Sequence, residues 1–344
     1  MKHPTPDADT VRAAVALAVR APSVHNSQPW RWHVDGRTAE LRADLRRRLP
    51  HTDPDGRDLL VSCGCALHHF AVATAAMGWA ARIERLPDAG EPGLLARIAL
   101  VPHEPRDRDI ALAAAIPRRR SDRRRFAGRP LLARDADRLR RAAADHGAVL
   151  RVVDDAPRRS ALTGAAAAAA GLHHADPGYE VELAAWSGRG YAPDGVPARN
   201  AVLATAGRHE LRVREFAGAR LADTAGPDGA ALTVLATTGD DRLSRLRAGE
   251  AVGAVLLAAT RLNLASCVYT EPLELTSTRA LVRDCVLGGG LEPQVVVRVG
   301  YPPEGAAPLP ATPRRPLGEV LWPLPHAYGA SLPIPVQLRG YRPS

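Results

Sequence analysis

The chain has 344 residues and a formal net charge of +9, and 46% of its residues are hydrophobic. This apolar share is typical of a folded protein and excludes a wholly disordered chain. Lys2 is the only lysine, so nearly all of the positive charge is arginine. P-loop nucleotide sites and pyridoxal phosphate enzymes both need a well-placed lysine, and Lys2 at the start of the chain fits neither class.

The length permits one large domain or two of roughly 150 residues each. No apolar run reaches the roughly 18 to 20 residues that would span a bilayer, and the first residues lack a basic-then-apolar leader. We therefore expect a soluble cytoplasmic protein. Arginine abundance can follow base composition, so the basic charge does not by itself indicate a nucleic-acid partner.

The first part of the chain predicts a helix, a polar loop, strands and a second helix. Residues 9–20 carry an apolar stripe at helical spacing, which Asp7 or Asp9 can cap. A loop with two prolines follows at 21–30. Strands are predicted at 31–34, 39–43, 80–86 and 95–101, and an alanine-rich helix at 57–77 that stops at Gly78.

From residue 102 the pattern changes. Residues 102–117 are charged and punctuated by prolines, and they lead into an arginine run at 118–125. Helices are predicted at 132–146, 158–172, 177–186 and 241–262, and strands at 149–153, 231–237, 267–269 and 294–299. Residues 187–228 show little periodicity, as expected of a functional cover or a mobile segment. Residues 302–344 are rich in proline.

Two small-residue helices repeat one pattern. Gly64-x-Ala66 matches Gly249-x-Ala251, 185 residues later, and a short strand follows each helix. A helix, a connection and a strand also occur at both 9–34 and 133–153. One α/β unit used twice, packed helix to helix, is the simplest account, and it predicts an α+β fold.

Cysteine and histidine supply residue types that could bind a metal. Cys63 and Cys65 precede His68 and His69, but residues two apart in a helix point about 200° apart around the axis. We therefore expect the two thiols to diverge and predict no metal site. The histidine pairs at 68–69 and 173–174 are interpreted as packing or surface residues.

Three motifs carry the chemistry of the sequence. The loop at 21–30 reads A-P-S-V-H-N-S-Q-P-W, and Arg119-x-Ser121-x-Arg123 forms a second motif. Gly300-Tyr301-Pro302 ends the last predicted strand, ahead of Pro313-Arg314-Arg315-Pro316. Together these motifs resemble the flavin-dependent nitroreductase superfamily, whose members are usually homodimers that hold FMN in their interface. The resemblance covers roughly residues 9–321.

The resemblance implies a nitroreductase-like fold and a flavin-binding role for each motif. The loop residues expected at the flavin ring are Pro22, Ser23, His25, Asn26, Ser27 and Gln28. The residues expected around the phosphate are Arg119, Ser121, Arg123, Arg314 and Arg315. The residue types suit these roles, because a phosphate monoester favours forked, charged donors and two prolines stiffen the loop before binding.

The order of the motifs departs from the family pattern. In ordinary members the R-x-S-x-R clamp precedes the loop, whereas here the loop comes first and the clamp about a hundred residues later. The resemblance is therefore to the Acg-like branch, in which one chain imitates the dimer. We assign residues 1–115 to a first half with the loop, 116–321 to a second half with the clamp, and 322–344 to a tail. One FMN per chain is expected.

Two functions follow from the resemblance. As an enzyme, the chain would pass hydride from NAD(P)H through flavin N5 to a nitroaromatic or quinone-like acceptor. As a binding protein, it would sequester FMN beneath a lid formed by residues 187–228. The lid would dock through its arginines, Arg208, Arg212, Arg214 and Arg220. An ordinary surface insertion is the alternative for this segment.

Two further alternatives stay open. The arginine run could be a solvated or nucleic-acid-binding arm, although only Phe126 is near it for base stacking. The stretch from Glu271 to Glu274 could begin a helix or lie near the flavin edge. No nucleic-acid or membrane partner is expected.

Overall fold

The computed structural model describes residues 5–190, 192–203, 211 and 214–323. One mixed and one antiparallel sheet, with helices packed between and around them, give the α+β fold that the sequence predicts. The larger sheet has the strand order β3-β4-β2-β1-β9 and the smaller one β5-β6-β8-β7.

The first half builds the larger sheet. Its helices are α1 (Ala8–Ala18), α2 (Arg57–Ala76) and α3 (Asp107–Ala115), and its strands are β1 (Trp30–Asp35), β2 (Thr38–Ala43), β3 (Trp79–Arg85) and β4 (Leu94–Pro102). The Asp7 side chain caps α1 by accepting from the backbone N–H of Thr10 at 2.6 Å. At the turn between β1 and β2, Gly36 has a φ of 51°, which a residue with a side chain rarely adopts.

The second half builds the smaller sheet. Its strands are β5 (Val149–Val152), β6 (Ala231–Thr237), β7 (Ala265–Tyr269) and β8 (Glu292–Gly300). Its helices are α4 (Ala133–Ala144), α5 (Ala156–His174), α6 (Pro177–Ala185), α7 (Arg242–Arg261), α8 (Glu271–Glu274) and α9 (Thr276–Leu281). A short strand, β9 (Leu321–Pro323), leaves this half and pairs in parallel with β1, so Trp32 lies opposite Leu321.

The centre of the molecule is the contact between α2 and α7, two 20-residue helices whose bounds are 185 residues apart. A Cβ on Gly64 would lie 2.1 Å from the carbonyl oxygen of Leu246, and one on Gly249 would lie 2.1 Å from that of Val61. Leu246 is itself 185 residues after Val61, so the two contacts are copies of one another. The helices therefore cross about a local two-fold axis, as expected of a fused pair of halves.

Helix α2 is long and apolar enough to cross a membrane by length and composition, which the sequence analysis did not expect. However, 83% of its apolar window is buried inside the fold. Its burial comes from packing on α1, α3 and α7 as the central core helix.

Two helices, α3 and α9, are absent from the sequence expectations, whereas α8 (Glu271–Glu274) lies where the sequence left the start of a helix open. Helix α3 lies in the charged segment 102–117, where the Asp109 side chain accepts from the backbone N–H of Arg106 at 3.0 Å and forms a capping box. Helices α8 and α9 follow β7 within a stretch too short to show a helical period. The predicted tail begins inside β9, and its residues 324–344 lie outside the described residues.

Candidate functional site

A cavity lies between the halves, beside the central helix pair. It holds about 750 Å³ of space between atoms, its open mouth included, which is within the range of cofactor sites. One wall is a face of α2 that carries Asp58, Ser62 and Cys65, and another is β7 with Thr270 at its end. Both halves thus contribute to the same cavity.

The predicted loop at 21–30 enters the cavity with Pro22, Ser23 and His25. His25, Asn26 and Gln28 all have positive φ angles, of 47°, 54° and 50°. Such angles are unfavourable for residues other than glycine, so this loop stores backbone strain that the surrounding contacts must hold. Concentration of strain at a cavity wall is typical of a binding site.

Asn26 and Gln28 turn away from the cavity and hold other segments. The Asn26 side-chain amide donates to the carbonyl oxygen of Gly195 at 3.0 Å, and that of Gln28 donates to Pro193 at 2.8 Å. The Gln28 side-chain oxygen accepts from the backbone N–H of Arg315 at 2.9 Å. The hydroxyl of Ser27 is buried without a hydrogen-bond partner.

The R-x-S-x-R motif reaches the cavity through its last two members. Ser121 and Arg123 line it, and the Arg123 guanidinium lies 4.9 Å from the Phe216 ring centre and donates to the carbonyl oxygen of Asn200 at 3.1 Å. Arg119 is only 7% exposed, and its Nε has no hydrogen-bond partner. Burial of Arg119 and of Arg124 within the arginine run disfavours the solvated-arm alternative.

Arg314 and Arg315 fasten the loop. All the N–H groups of the Arg314 guanidinium donate to backbone carbonyls: Nε bonds Val19 at 2.8 Å, while the terminal nitrogens bond Arg20, Ala21, Thr312 and Pro313. Arg314 thereby caps the C-terminal end of α1. Arg315 donates to the carbonyl oxygens of Gln28 and Glu319, at 3.3 and 2.8 Å.

Positive charge accumulates behind the clamp. Arg119 and Arg314 both donate to the carbonyl oxygen of Arg20, at 3.4 and 3.0 Å, and Arg120 is the fourth member of this arginine cluster. Burial, followed by the charges of the neighbouring arginines, lowers the pKa of Arg314 to about 9. Burial likewise lowers the pKa of Arg119 to about 10. Within the described part of the chain, none of the four pairs with a carboxylate, so the cluster is short of negative charge.

The cavity region also contains carboxyl groups that the three sequence motifs do not include. Asp58 lines the cavity with an Oδ2 that has no hydrogen-bond partner. Glu271 and Glu274, whose position the sequence left open, are both buried here. The Arg214 guanidinium donates to Glu274 at 2.5 Å and contacts Nε2 of His25 at 3.0 Å. Burial, followed by the charge of Arg214, holds the pKa of His25 well below its usual range.

The predicted lid contributes Arg214 and Phe216 to the cavity wall. Apart from one turn of 3₁₀ helix at Ala198–Asn200, the described parts of 187–228 are irregular, as predicted. Pro193 and Gly195 of this segment contact the loop at 21–30, because their carbonyl oxygens accept from the side-chain amides of Gln28 and Asn26. Arg208 and Arg212 lie outside the described residues, and Arg220 is in the part that the structure describes.

The cysteines diverge as helix geometry requires. Cys63 Sγ approaches the carbonyl oxygen of Pro29 at 3.2 Å, whereas Cys65 Sγ approaches that of Gly249 at 3.0 Å. Across residues 5–323, apart from the gaps at 191, 204–210 and 212–213, no group of three or more histidine, cysteine, aspartate or glutamate side chains could hold a metal ion.

Comparison with known proteins gives related sequences along almost the whole chain. "Putative NAD(P)H nitroreductase Rv3131" of Mycobacterium tuberculosis is 47% identical over 323 residues, which cover 92% of this chain and 93% of the relative. "Putative NAD(P)H nitroreductase acg" of the same organism is 39% identical over 317 residues, covering 91% and 95%. No family model matches the chain.

Solved structures give more distant similarities. A nitroreductase with bound FMN from Bacteroides fragilis is 16% identical with a TM-score of 0.37, covering 57% of this chain and 90% of that one. The NfrA1 nitroreductase from B. subtilis is 14% identical with a TM-score of 0.38, covering 63% and 76%.

Proposed function

Because this chain belongs to the nitroreductase family, as its two mycobacterial relatives establish, we propose that it binds one FMN in the cavity between its halves and reduces an acceptor with NAD(P)H. When bound, FMN would supply the redox chemistry, the transfer of two electrons from NAD(P)H to the acceptor. The acceptor class is nitroaromatic or quinone-like. We expect the protein to act in the cytoplasm, where NAD(P)H is available.

The arginine cluster without carboxylates is the observation that carries the proposal. Buried guanidinium groups normally find an anionic partner, and Arg119 keeps an unbonded Nε. A phosphate group supplies the missing charge and accepts from such donors. We assign the phosphate to Arg119, Ser121 and Arg123. Arg314 adds positive charge nearby and, with Arg315, holds the loop in place.

The rest of the cavity suits a flavin ring. Pro22, Val61, Val252 and Val268 give it apolar surface, while Ser23, His25 and Thr270 provide polar groups at intervals. Such a mixture fits a planar ring with one apolar and one polar edge. Asn26 and Gln28 then act on the flavin indirectly, by fixing the strained loop that presents Ser23 and His25.

Flavin sequestration is the second candidate function, and one contact favours it. Arg214 enters the cavity from the lid segment and is held by Glu274 at 2.5 Å, with Phe216 beside it. A closed segment at this position excludes water and blocks access of a nicotinamide to the ring. In that case FMN would be held with little turnover.

The proposal is tested by binding FMN and riboflavin to the purified protein, since the two differ by the phosphate. We expect a yellow protein that binds one FMN per chain and prefers it to riboflavin. Arg123→Gln should weaken FMN binding about 10- to 100-fold, equal to one charged hydrogen bond, and leave riboflavin binding nearly unchanged.

Arg314→Gln is the matched control. It removes a similar charge, but its donors are engaged with backbone carbonyls, so it should lower the thermal stability and weaken FMN and riboflavin alike. A protein that takes up no FMN, or that binds two per chain, would contradict the proposal.

Steady-state oxidation of NAD(P)H with a nitroaromatic acceptor separates the two functions. Arg214→Ala removes the contact between the lid segment and Glu274. Sequestration predicts slow turnover that rises in this variant, whereas an open enzyme predicts turnover that the substitution does not raise.

A further inference from the structure

Asp58 is a buried carboxyl group that lines the cavity near Glu274, the residue that Arg214 binds. It lies on the same face of α2 as Ser62 and Cys65, and Cys65 is the helix residue whose thiol acts electrostatically on Arg119. Seven residues of helix separate Asp58 from Cys65, a rise of about 10 Å. If the phosphate binds beside Arg119, Asp58 therefore lies toward the part of the cavity that the flavin ring would occupy.

One oxygen of the Asp58 carboxyl group, Oδ2, lacks the partner that an ionised carboxylate needs. The residue is 5% exposed, and Oδ2 has no hydrogen-bond partner although Asp58 lines a cavity. Ionisation of a buried carboxyl group with an unsatisfied oxygen is unfavourable, so such a group tends to stay protonated.

The two carboxyl groups near Asp58 act in the same direction as its burial. From the segment before α2 comes Asp53, and from α8 comes Glu274, both of which disfavour a second negative charge. Thr270 and Arg57 favour the ionised form, but Arg57 is already paired with Asp240. Arg214 and His25 line the same cavity, with Arg214 bound to Glu274.

Asp53 and Asp58 form a pair in which the proton has a preferred site. The Asp53 oxygens accept from the backbone N–H groups of Asp58 at 3.1 Å and Leu59 at 2.8 Å, at the start of α2. These donors and the helix dipole stabilise the charge of Asp53. Asp58 has no such donor at its Oδ2, so of the two carboxyl groups it is the one that keeps its proton.

We propose that Asp58 is the catalytic acid of the cavity and donates a proton to the acceptor as it is reduced. The inference rests on the proposed function. Reducing a nitro group to a nitroso group consumes two electrons and two protons and releases water. NAD(P)H supplies both electrons and one proton as hydride. The second proton leaves the Asp58 O–H bond for an acceptor oxygen, and Asp58 then recovers a proton from water.

Asp58→Asn tests this role, because asparagine keeps the shape of the side chain but has no acidic proton to donate. We expect nitroaromatic reduction to fall about 10²- to 10⁴-fold, the usual contribution of a general acid, and to lose the limb of its pH profile that reports this acid. FMN affinity should change by less than about threefold. Asp284→Asn, at an exposed aspartate paired with Arg283, is the control that leaves both readouts unchanged.

Infrared spectroscopy supplies a readout that does not depend on turnover. The FMN-free and FMN-bound proteins should both show the carbonyl band of a protonated carboxylic acid at neutral pH, and Asp58→Asn should lose it. A band that survives in the variant, or a variant that binds FMN and turns over with the pH profile of the parent, overturns the role of Asp58. A parent protein that fails to bind FMN overturns the proposed function itself, and with it the role of Asp58.

Discussion

The two sides of the α2–α7 pair occupy equivalent positions but differ in structure. One side forms the open cavity, and the other, the closed side, is filled by a salt bridge. On one side, Cys65 of α2 and Thr270 line the open cavity. The positions 185 residues away are Glu250 of α7 and Arg85, and these form a bidentate salt bridge at 2.7 and 2.8 Å. The difference shows how a fused pair of halves can keep one site and turn the other into structure.

The connecting loops differ in the same way. The first half follows α1 with a strained ten-residue loop that enters the cavity, while the second half follows α4 with a short turn through Gly147, whose φ is 74°. Strain is thus present where a ligand is expected and absent at the other connection. Among the described residues, the closed side has no counterpart of the loop at 21–30, so we expect no flavin to bind there.

The largest expected effect comes from a substitution at the close contact between α2 and α7. Gly64→Ala places a Cβ 2.1 Å from the backbone oxygen of Leu246, which cannot move without shifting α7. We expect a loss of about 3 kcal/mol in the free energy of unfolding by urea titration. Gly164→Ala in α5 is the control: nothing lies within 4 Å of its Cβ, and it should stabilise by about 0.5 to 1 kcal/mol. Equal effects of the two substitutions would contradict the close helix contact.

A smaller loss is expected on the closed side. Glu250→Gln leaves Arg85 without its charged partner, but Arg85 keeps a side-chain exposure of 26%, so water can compensate in part. We expect a loss of about 2 kcal/mol, less than a fully buried pair would cost. FMN stoichiometry should not change. Chemical denaturation of the FMN-free protein measures the loss, and an effect near zero would show that the pair is not structural.

Removing both partners sharpens the comparison further. The double variant Glu250→Cys with Arg85→Thr places the residue types of the cavity side at the closed side. Because no charge is left unpaired, we expect it to cost about 1 kcal/mol, less than Glu250→Gln alone. It should still bind a single FMN, since no loop or clamp faces it. A second equivalent of bound FMN would show that side-chain packing alone had closed the second site.

The last prediction is a pH dependence of the free energy of unfolding that arises from two carboxyl groups of the cavity side. Burial raises the pKa of Asp53 to about 6, and burial with the negative charge of Asp53 raises the pKa of Asp58 well above its usual range. A raised pKa in the folded state means that this contribution to stability is fully present below about pH 4, the unfolded value, and is lost as the pH rises through 6. Asp58→Asn should reduce that loss, as measured by unfolding titrations between pH 4 and 8. An unchanged slope would contradict the buried pair.

Much of this architecture could be predicted because its signals are local. The glycines at 64 and 249 marked the helix contact from sequence alone, and the loop at 21–30 marked one wall of the cavity. The carboxylate end could not be predicted in the same way. Asp58 reads as an ordinary residue in the first turn of a helix, and its role depends on a cavity formed by segments distant in sequence. Arg314 looks like a phosphate ligand by type, yet its donors bind the end of α1.

The pairing of β9 with the first sheet has a consequence for how the chain folds during its synthesis. Strand β1 gains its second neighbouring strand only when Leu321–Pro323 pairs with it. The backbone N–H of Trp32 then donates to the carbonyl oxygen of Val320 at 2.7 Å. Arg314 and Arg315, which fasten α1 and the strained loop, lie on the same late segment. Residues up to 323 must therefore leave the ribosome before the first sheet is complete. Until then the edge of β1 is exposed to other nascent chains, and the loop at 21–30 lacks the arginines that fasten it.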